Sequence, residues 1–198
     1  MLLFSLVFPD SSKVPLVDLG FAISASSQNS DETFRKTKNT VKYIVDKYGK
    51  AKITYGLVVF GDEAVTKISF SESFATSADL KRMVDIITKP TGTPNLKNAL
   101  VESKMLFESG VRSNAKKVLI VIVDSASDSS PEEVKNATKP LTENDVSIIV
   151  VAIGKEATPN QLKDVTPDLQ DFVQAKNDTT AKELGDRVMK QVLKGNLS

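Results

Sequence analysis

Three short segments carry the side chains that could do chemistry. The run Lys117-Val-Leu-Ile-Val-Ile-Val-Asp124 is apolar until it ends in a carboxylate. The apolar stretch at residues 18–23 runs directly into Ser24-Ala25-Ser26-Ser27-Gln28. Thr91-Gly92-Thr93-Pro94 lies between them and opens a helical pattern. On residue type alone, the hydroxyls after Ile23 satisfy loop backbone groups and cap the next helix, while Asp124 accepts hydrogen bonds from them. The chain has no Cys and no His. Disulfides, thiol nucleophiles, ordinary zinc sites and imidazole acid–base chemistry are therefore excluded. Asp, Glu, Lys, Ser, Thr and Tyr remain, and no pair of them falls into a recognised catalytic spacing. No Gly-x-Gly-x-x-Gly follows a strand and there is no P-loop, so nucleotide chemistry has no phosphate cradle.

These segments need a scaffold, and the sequence supplies alternating strands and helices. At 198 residues the chain is long enough for one α/β domain with a full core. A net charge of +1 gives no general attraction to nucleic acid or anionic membrane. Strands are predicted at 18–23, 53–60, 65–70, 118–123, 146–153 and 169–173. Helices are predicted at 33–48, closed by Gly49; at 78–88, capped by Ser77; and at 94–108, with Pro94 in its first turn and Leu96, Leu100, Met105 and Phe107 on its apolar positions. Further helices are predicted at 131–142, capped by Ser130, at 158–165 and at 179–193. Gly61-Asp62 reads as a hairpin turn, making the strand at 65–70 an antiparallel edge. The continuous apolar runs at 118–123 and 146–153 read as strands buried on both faces. The predicted fold is α/β: a doubly wound, mostly parallel six-stranded sheet with one antiparallel edge strand and helices on both faces. Ligands of such sheets bind at the carboxyl ends of the strands where strand order reverses, which points to the loops after Ile23 and Val123.

The apolar N-terminus MLLFSLVF is too short to span a bilayer. Residues 1–13 read as a signal-peptide remnant, a junction left by cloning or an extra strand, residues 14–194 as the domain and 195–198 as a tail. Three sequons, at Asn136, Asn177 and Asn196, lean only slightly toward secretion.

The order and spacing of Asp18-Leu-Gly-Phe-Ala-Ile23, Tyr55-Gly-Leu-Val-Val-Phe60, Gly92-Thr93, the run ending at Asp124 and Val146-Ser-Ile-Ile-Val-Val-Ala-Ile-Gly154 resemble the von Willebrand factor A (vWA) domain across residues 14–193. The resemblance implies a metal-ion-dependent adhesion site (MIDAS). There an Asp and two Ser from the first loop, a Thr from the second and an Asp from the third hold Mg²⁺ or a similar ion, and a ligand carboxylate completes the shell. By position Ser26, Thr93 and Asp124 match that set. Ser24 stands where the family has Asp, and Gln28 where it has Ser. The lost carboxylate would be worth about 4 kcal/mol beside a divalent ion at 4 Å in an effective dielectric of 20, before hydration is subtracted. The site is therefore a degenerate MIDAS.

The resulting expectation is a non-catalytic protein-interaction module of extracellular adhesion or matrix type, secreted or part of a larger protein, without a cofactor. Its ligand face would comprise Ser24, Ser26, Ser27, Gln28, Thr93, Asp124 and Ser125. Its partner would be a matrix or cell-surface protein, with no nucleic acid and no membrane span; the oligomeric state is left open. The alternatives are a weakly bound Mg²⁺ at Ser26, Thr93 and Asp124, and an intracellular vWA-type scaffold.

Overall fold

The computed structural model describes residues 15–24, 31–89, 91–154, 157, 162–166, 171–176 and 178–194. Its elements run β1 (Val17–Ser24), α1 (Asp31–Tyr48), β2 (Ile53–Phe60), β3 (Ala64–Ile68), α2 (Ser77–Ile86), α3 (Leu96–Glu108), β4 (Lys116–Val123), α4 (Pro131–Glu143), β5 (Val146–Ile153), β6 (Phe172–Ala175) and α5 (Ala181–Val192). The six strands form one sheet in the order β3-β2-β1-β4-β5-β6. Every pairing is parallel except β2–β3, the hairpin expected from Gly61-Asp62. β1 lies between β2 and β4, so the strand order reverses at the β1–β4 junction. That reversal puts the ends of β1 and β4 side by side, with Ile23 level with Ile122.

Both faces of the sheet are covered, and the period-two alternation of each strand shows how. On one face Leu19, Phe21 and Ile23 of β1 join Val118, Ile120 and Ile122 of β4 and Ile149, Val151 and Ile153 of β5, under α1, α2 and α5. On the other face Ala22, Leu119, Val121, Val123, Val150 and Ala152 pack against α3 and α4 through Leu96, Leu100, Phe107, Val134 and Leu141. A continuous apolar run in sequence thus divides evenly between two cores. Gly20 lets α3 approach, since a Cβ there would lie 2.9 Å from the Phe107 ring.

Several boundaries differ from the sequence reading. Thr76, not Ser77, caps α2. Thr76 stands three residues before Asp79: its Oγ1 accepts the Asp79 N–H at 3.2 Å and the Asp79 carboxylate accepts the Thr76 N–H at 2.9 Å, completing a capping box. Pro94 lies outside α3, because Asn95 is the cap and its Oδ1 accepts the Asn98 N–H at 2.9 Å. α2 ends at Ile86 rather than 88 and β3 at Ile68 rather than 70. The last strand extends to Ala175 rather than 173. Met105 faces solvent at 49% exposure, on the opposite side of α3 from Leu100 and Phe107. Ser130 does cap α4, with Glu133 completing its capping box. The N-terminal extension, the tail and the start of the helix predicted at 158–165 lie outside the described residues. Among the described residues no helix is long and apolar enough to cross a membrane.

The end of the sheet away from the β1–β4 loops is held by a buried ion pair. Asp18 is fully buried. Its carboxylate accepts the Arg112 backbone N–H at 2.7 Å and the Arg112 Nε–H at 2.8 Å. The same guanidinium donates to the carbonyls of Val17 (2.7 Å) and Lys52 (3.2 Å). One side chain thereby ties the start of β1 to the chain entering β2 and the chain leaving α3. Helix α5 is fixed against α1 by Asp186, whose carboxylate receives Lys47 Nζ at 2.6 Å and Tyr43 Oη at 2.8 Å. Partial burial works to raise the Asp186 pKa, but the bonds from Lys47 and Tyr43 outweigh it and hold the group below the usual carboxylate range.

Candidate functional site

Ser24 is the last residue of β1, and Asp124 directly follows β4. The strand reversal brings them together: Ser24 Oγ donates to Asp124 Oδ1 at 2.8 Å, with Ser24 2% and Asp124 6% exposed. Residues a hundred positions apart are therefore joined at the rim of the sheet by a buried hydrogen bond to a charged group, a type worth about 1.5–3 kcal/mol. Beside it lies Ser125, 6% exposed, whose Oγ has no hydrogen-bond partner among the described residues.

Two other loops are fastened to this rim. The segment after Asp124 is bonded to the start of α3. Ser127 Oγ accepts the Leu96 N–H at 3.0 Å, Ser129 Oγ accepts the Lys97 N–H at 3.0 Å, and the Asp128 N–H donates to Pro94 O at 3.1 Å. With Asn95 capping Asn98, the first amides of α3 are consumed internally, so this helix end is closed to an anion. The start of α3 is in turn bonded to the β2–β3 turn. Asn95 N–H donates to Gly61 O at 2.9 Å, Asn98 Nδ2 to Asp62 O at 2.8 Å, and Thr93 N–H to Asp62 Oδ1 at 2.7 Å.

Of the residues singled out from sequence, the structure brings Ser24, Asp124 and Ser125 together and places Thr93 on the loop fastened to them; Ser26, Ser27 and Gln28 lie outside the described residues. Asp62, Asn95, Ser127 and Ser129 were not singled out. The Ser127-Asp-Ser129 spacing was the available signal for two of them, because a Ser hydroxyl accepts from the N–H two residues on, as Ser127 Oγ does from Ser129 at 3.2 Å. Asp62 had only its turn position.

Gly92 shows how tightly the Asp62 carboxylate is seated. Gly92 has φ +90°, and a Cβ there would lie 1.9 Å from the Asp62 carboxylate. Gly92→Ala is therefore expected to cost about 1–3 kcal/mol in backbone strain alone and to expel Asp62 from the Thr93 N–H. Urea unfolding and hydrogen exchange at the Thr93 amide measure both; unchanged stability with a protected amide would contradict this geometry.

The described rim offers oxygen donors but a single carboxylate, Asp124, beside the Ser24 hydroxyl. A hard divalent ion takes oxygen ligands with carboxylate charge beside it. Here one oxygen of the rim carboxylate, Asp124, accepts a hydrogen bond from Ser24, the residue that the vWA resemblance sets in an Asp position.

The sequence profile of the von Willebrand factor type A domain matches residues 18–187, most of the chain. The chain belongs to the vWA family. Among proteins of similar sequence, this vWA domain is 24% identical over 163 residues to the mouse (Mus musculus) collagen alpha-4(VI) chain, an alignment covering 81% of the chain and 7% of that protein. It is 28% identical over 156 residues to the human (Homo sapiens) collagen alpha-5(VI) chain, covering 76% of the chain and 6% of that protein. The vWA domain therefore spans only a small part of these relatives. Among solved structures it resembles proximal thread matrix protein 1 (PTMP1) from the mussel byssus, with TM-score 0.80 at 18% identity over 90% of this chain and 47% of that one. A PTMP1 structure described as having a zinc-occupied MIDAS motif matches with TM-score 0.75 at 21% identity over 91% of this chain and 46% of that one. At these identities the structural matches establish the fold.

Proposed function

We propose that this vWA domain is a non-catalytic protein-interaction module of the extracellular matrix, engaging a protein partner through its loop face without a tightly held metal ion. The collagen VI relatives and the fold shared with a byssal matrix protein support the matrix setting. The observation that carries the metal-free part is the Ser24–Asp124 hydrogen bond. In a metal-holding site two carboxylates at these strand ends would repel each other until a cation joined them. Here a neutral hydroxyl occupies the first place and donates a hydrogen bond to the second. The rim is already closed, so a divalent ion would have to replace a satisfied hydrogen bond and gain only one carboxylate.

The consequence is binding that ignores chelation. In a solid-phase assay on immobilised extracellular-matrix extract, the amount of domain retained is expected to be the same in Mg²⁺ and in EDTA. Loss of retention in EDTA, recovered by Mg²⁺, would overturn the metal-free reading. Absence of retention under both conditions would overturn the matrix-binding one.

A further inference from the structure

Helix α4 carries a feature that the loop face does not use. Asn136-Ala-Thr138 is an acceptor sequence for N-linked glycans, with Ala rather than Pro in its middle place. Of the three sequons in the chain, this one has its Asn among the described residues. Asn136 is exposed, whereas Val134, Ala137, Thr138 and Leu141 form the buried stripe of α4. It follows Val134 by two residues, about 200° round a helix of 3.6 residues per turn, so it stands on the side away from the sheet.

An exposed Asn is half of the requirement, because the hydroxyl two residues on must also be reached. In the folded domain it is not. Thr138 is 7% exposed, and its Oγ1 donates to Val134 O at 2.9 Å and to Asp164 O at 3.3 Å. Sugar transfer must therefore precede folding, and α4 is suited to that order in three ways. The groups that close over its buried stripe come later in the chain: Asp164 at the hydroxyl, with Val146, Ile148, Leu162 and Val165 in the same core. The 13 residues of α4 include Asn136, Thr138, Thr142 and an interior Pro140, all poor helix formers, and so short a helix is marginal without tertiary packing. Pro140 lacks an N–H, and the carbonyl four residues back that would receive it belongs to Asn136. The helix is thus weakest at the sequon itself.

We propose that Asn136 is an N-glycosylation site, modified while the chain is still being made and carried outward on α4 once the domain closes. The donor is a lipid-diphosphate-linked oligosaccharide. A bond forms between Asn136 Nδ2 and C1 of the first sugar, and the bond from that C1 to the diphosphate oxygen breaks. The lipid diphosphate leaves with the bonding pair, the amide loses one proton to base, and nothing is oxidised or reduced. The proposal rests on the extracellular setting above, since such transfer belongs to the secretory route, and is independent of the metal-free reading. The attached sugar is bulky and polar. It would stand beside Glu132, Glu133 and Lys139, the neighbours of Asn136 three and four residues away, and keep protein partners off that flank.

The test makes the full chain behind a cleavable secretion signal in cultured animal cells. N-glycans are then released enzymatically in heavy-oxygen water, which converts a glycosylated Asn to Asp marked with that oxygen, and the peptides are mapped by mass. Most of the Asn136 peptide is expected to carry the mark. Asn136→Gln should lose it and still be secreted folded, and Thr138→Ser, which keeps the hydroxyl, should retain it. A second arm supplies the transferase and its lipid-linked donor to a peptide of residues 131–143 and to the folded, unglycosylated chain. The peptide should be modified and the folded chain should not. An unmarked Asn136 in the secreted chain would overturn the site; because the added signal enforces secretion, that result would leave the extracellular setting standing. A folded chain modified as fast as the peptide would overturn the order of events.

Discussion

Arg112→Ala is expected to destabilise the domain by about 3–5 kcal/mol, the usual cost of leaving one member of a buried ion pair without its partner. Asp18 is fully buried, and both of its oxygens accept from Arg112, one from the side chain and one from the backbone. The substitution removes the guanidinium, leaves the buried carboxylate only the backbone N–H of residue 112 and releases the carbonyls of Val17 and Lys52. For a domain of this length each kcal/mol lowers the melting temperature by about 2–4 °C, so a shift of roughly 10 °C should be visible. Asp18→Asn in the Arg112→Ala background should recover part of the loss, since a neutral amide is cheaper to bury than a carboxylate. Urea unfolding of the single and double variants measures this. A single-variant loss below about 1 kcal/mol, the scale of a surface pair, would contradict the pairing described.

Ser24→Asp is expected to convert the rim into a site that needs a cation. The Ser24 Oγ to Asp124 Oδ1 contact is 2.8 Å. An aspartate at position 24 would bring two carboxylates to similar range, and one of them would have to take up a proton or turn away. The substitution deletes a bond worth about 1.5–3 kcal/mol and adds repulsion of about 4 kcal/mol at 4 Å in an effective dielectric of 20, before relaxation and proton uptake reduce it. In EDTA the variant should therefore unfold at a clearly lower urea concentration than the native chain. Mg²⁺ should restore much of the difference, because binding to the folded state alone stabilises it by mass action. A variant as stable as the native chain in EDTA, or one that Mg²⁺ does not help, would show that the hydrogen bond is not what closes the rim.

The fold was legible because its signals are local. The apolar runs at 118–123 and 146–153 read as strands buried on both faces and Gly61-Asp62 as a hairpin turn, and the structure has all three. The meeting of Ser24 and Asp124 was legible through topology, since a reversal of strand order between their strands makes the strand ends neighbours. Contacts that depend on side chains distant in sequence were not legible. Nothing in the periodicity around Val111-Arg112-Ser113 announces that Arg112 reaches back 94 residues to Asp18. Nor does the Gly61-Asp62 turn signal that its carboxylate is gripped by Thr93, 31 residues on. The Ser77 error has the same origin on a smaller scale. By residue type Ser77 is the slightly better cap, and the reach of Asp79 back to Thr76 decides against it.

The Ser24–Asp124 hydrogen bond stands where the vWA resemblance would set metal ligands, and we propose that it leaves no tight ion site there. Isothermal titration with Mg²⁺ of the native chain and of Ser24→Asp measures this. The native chain is expected to give no binding heat at millimolar Mg²⁺, while the variant gives a saturable isotherm. A saturable, micromolar isotherm for the native chain would contradict the claim.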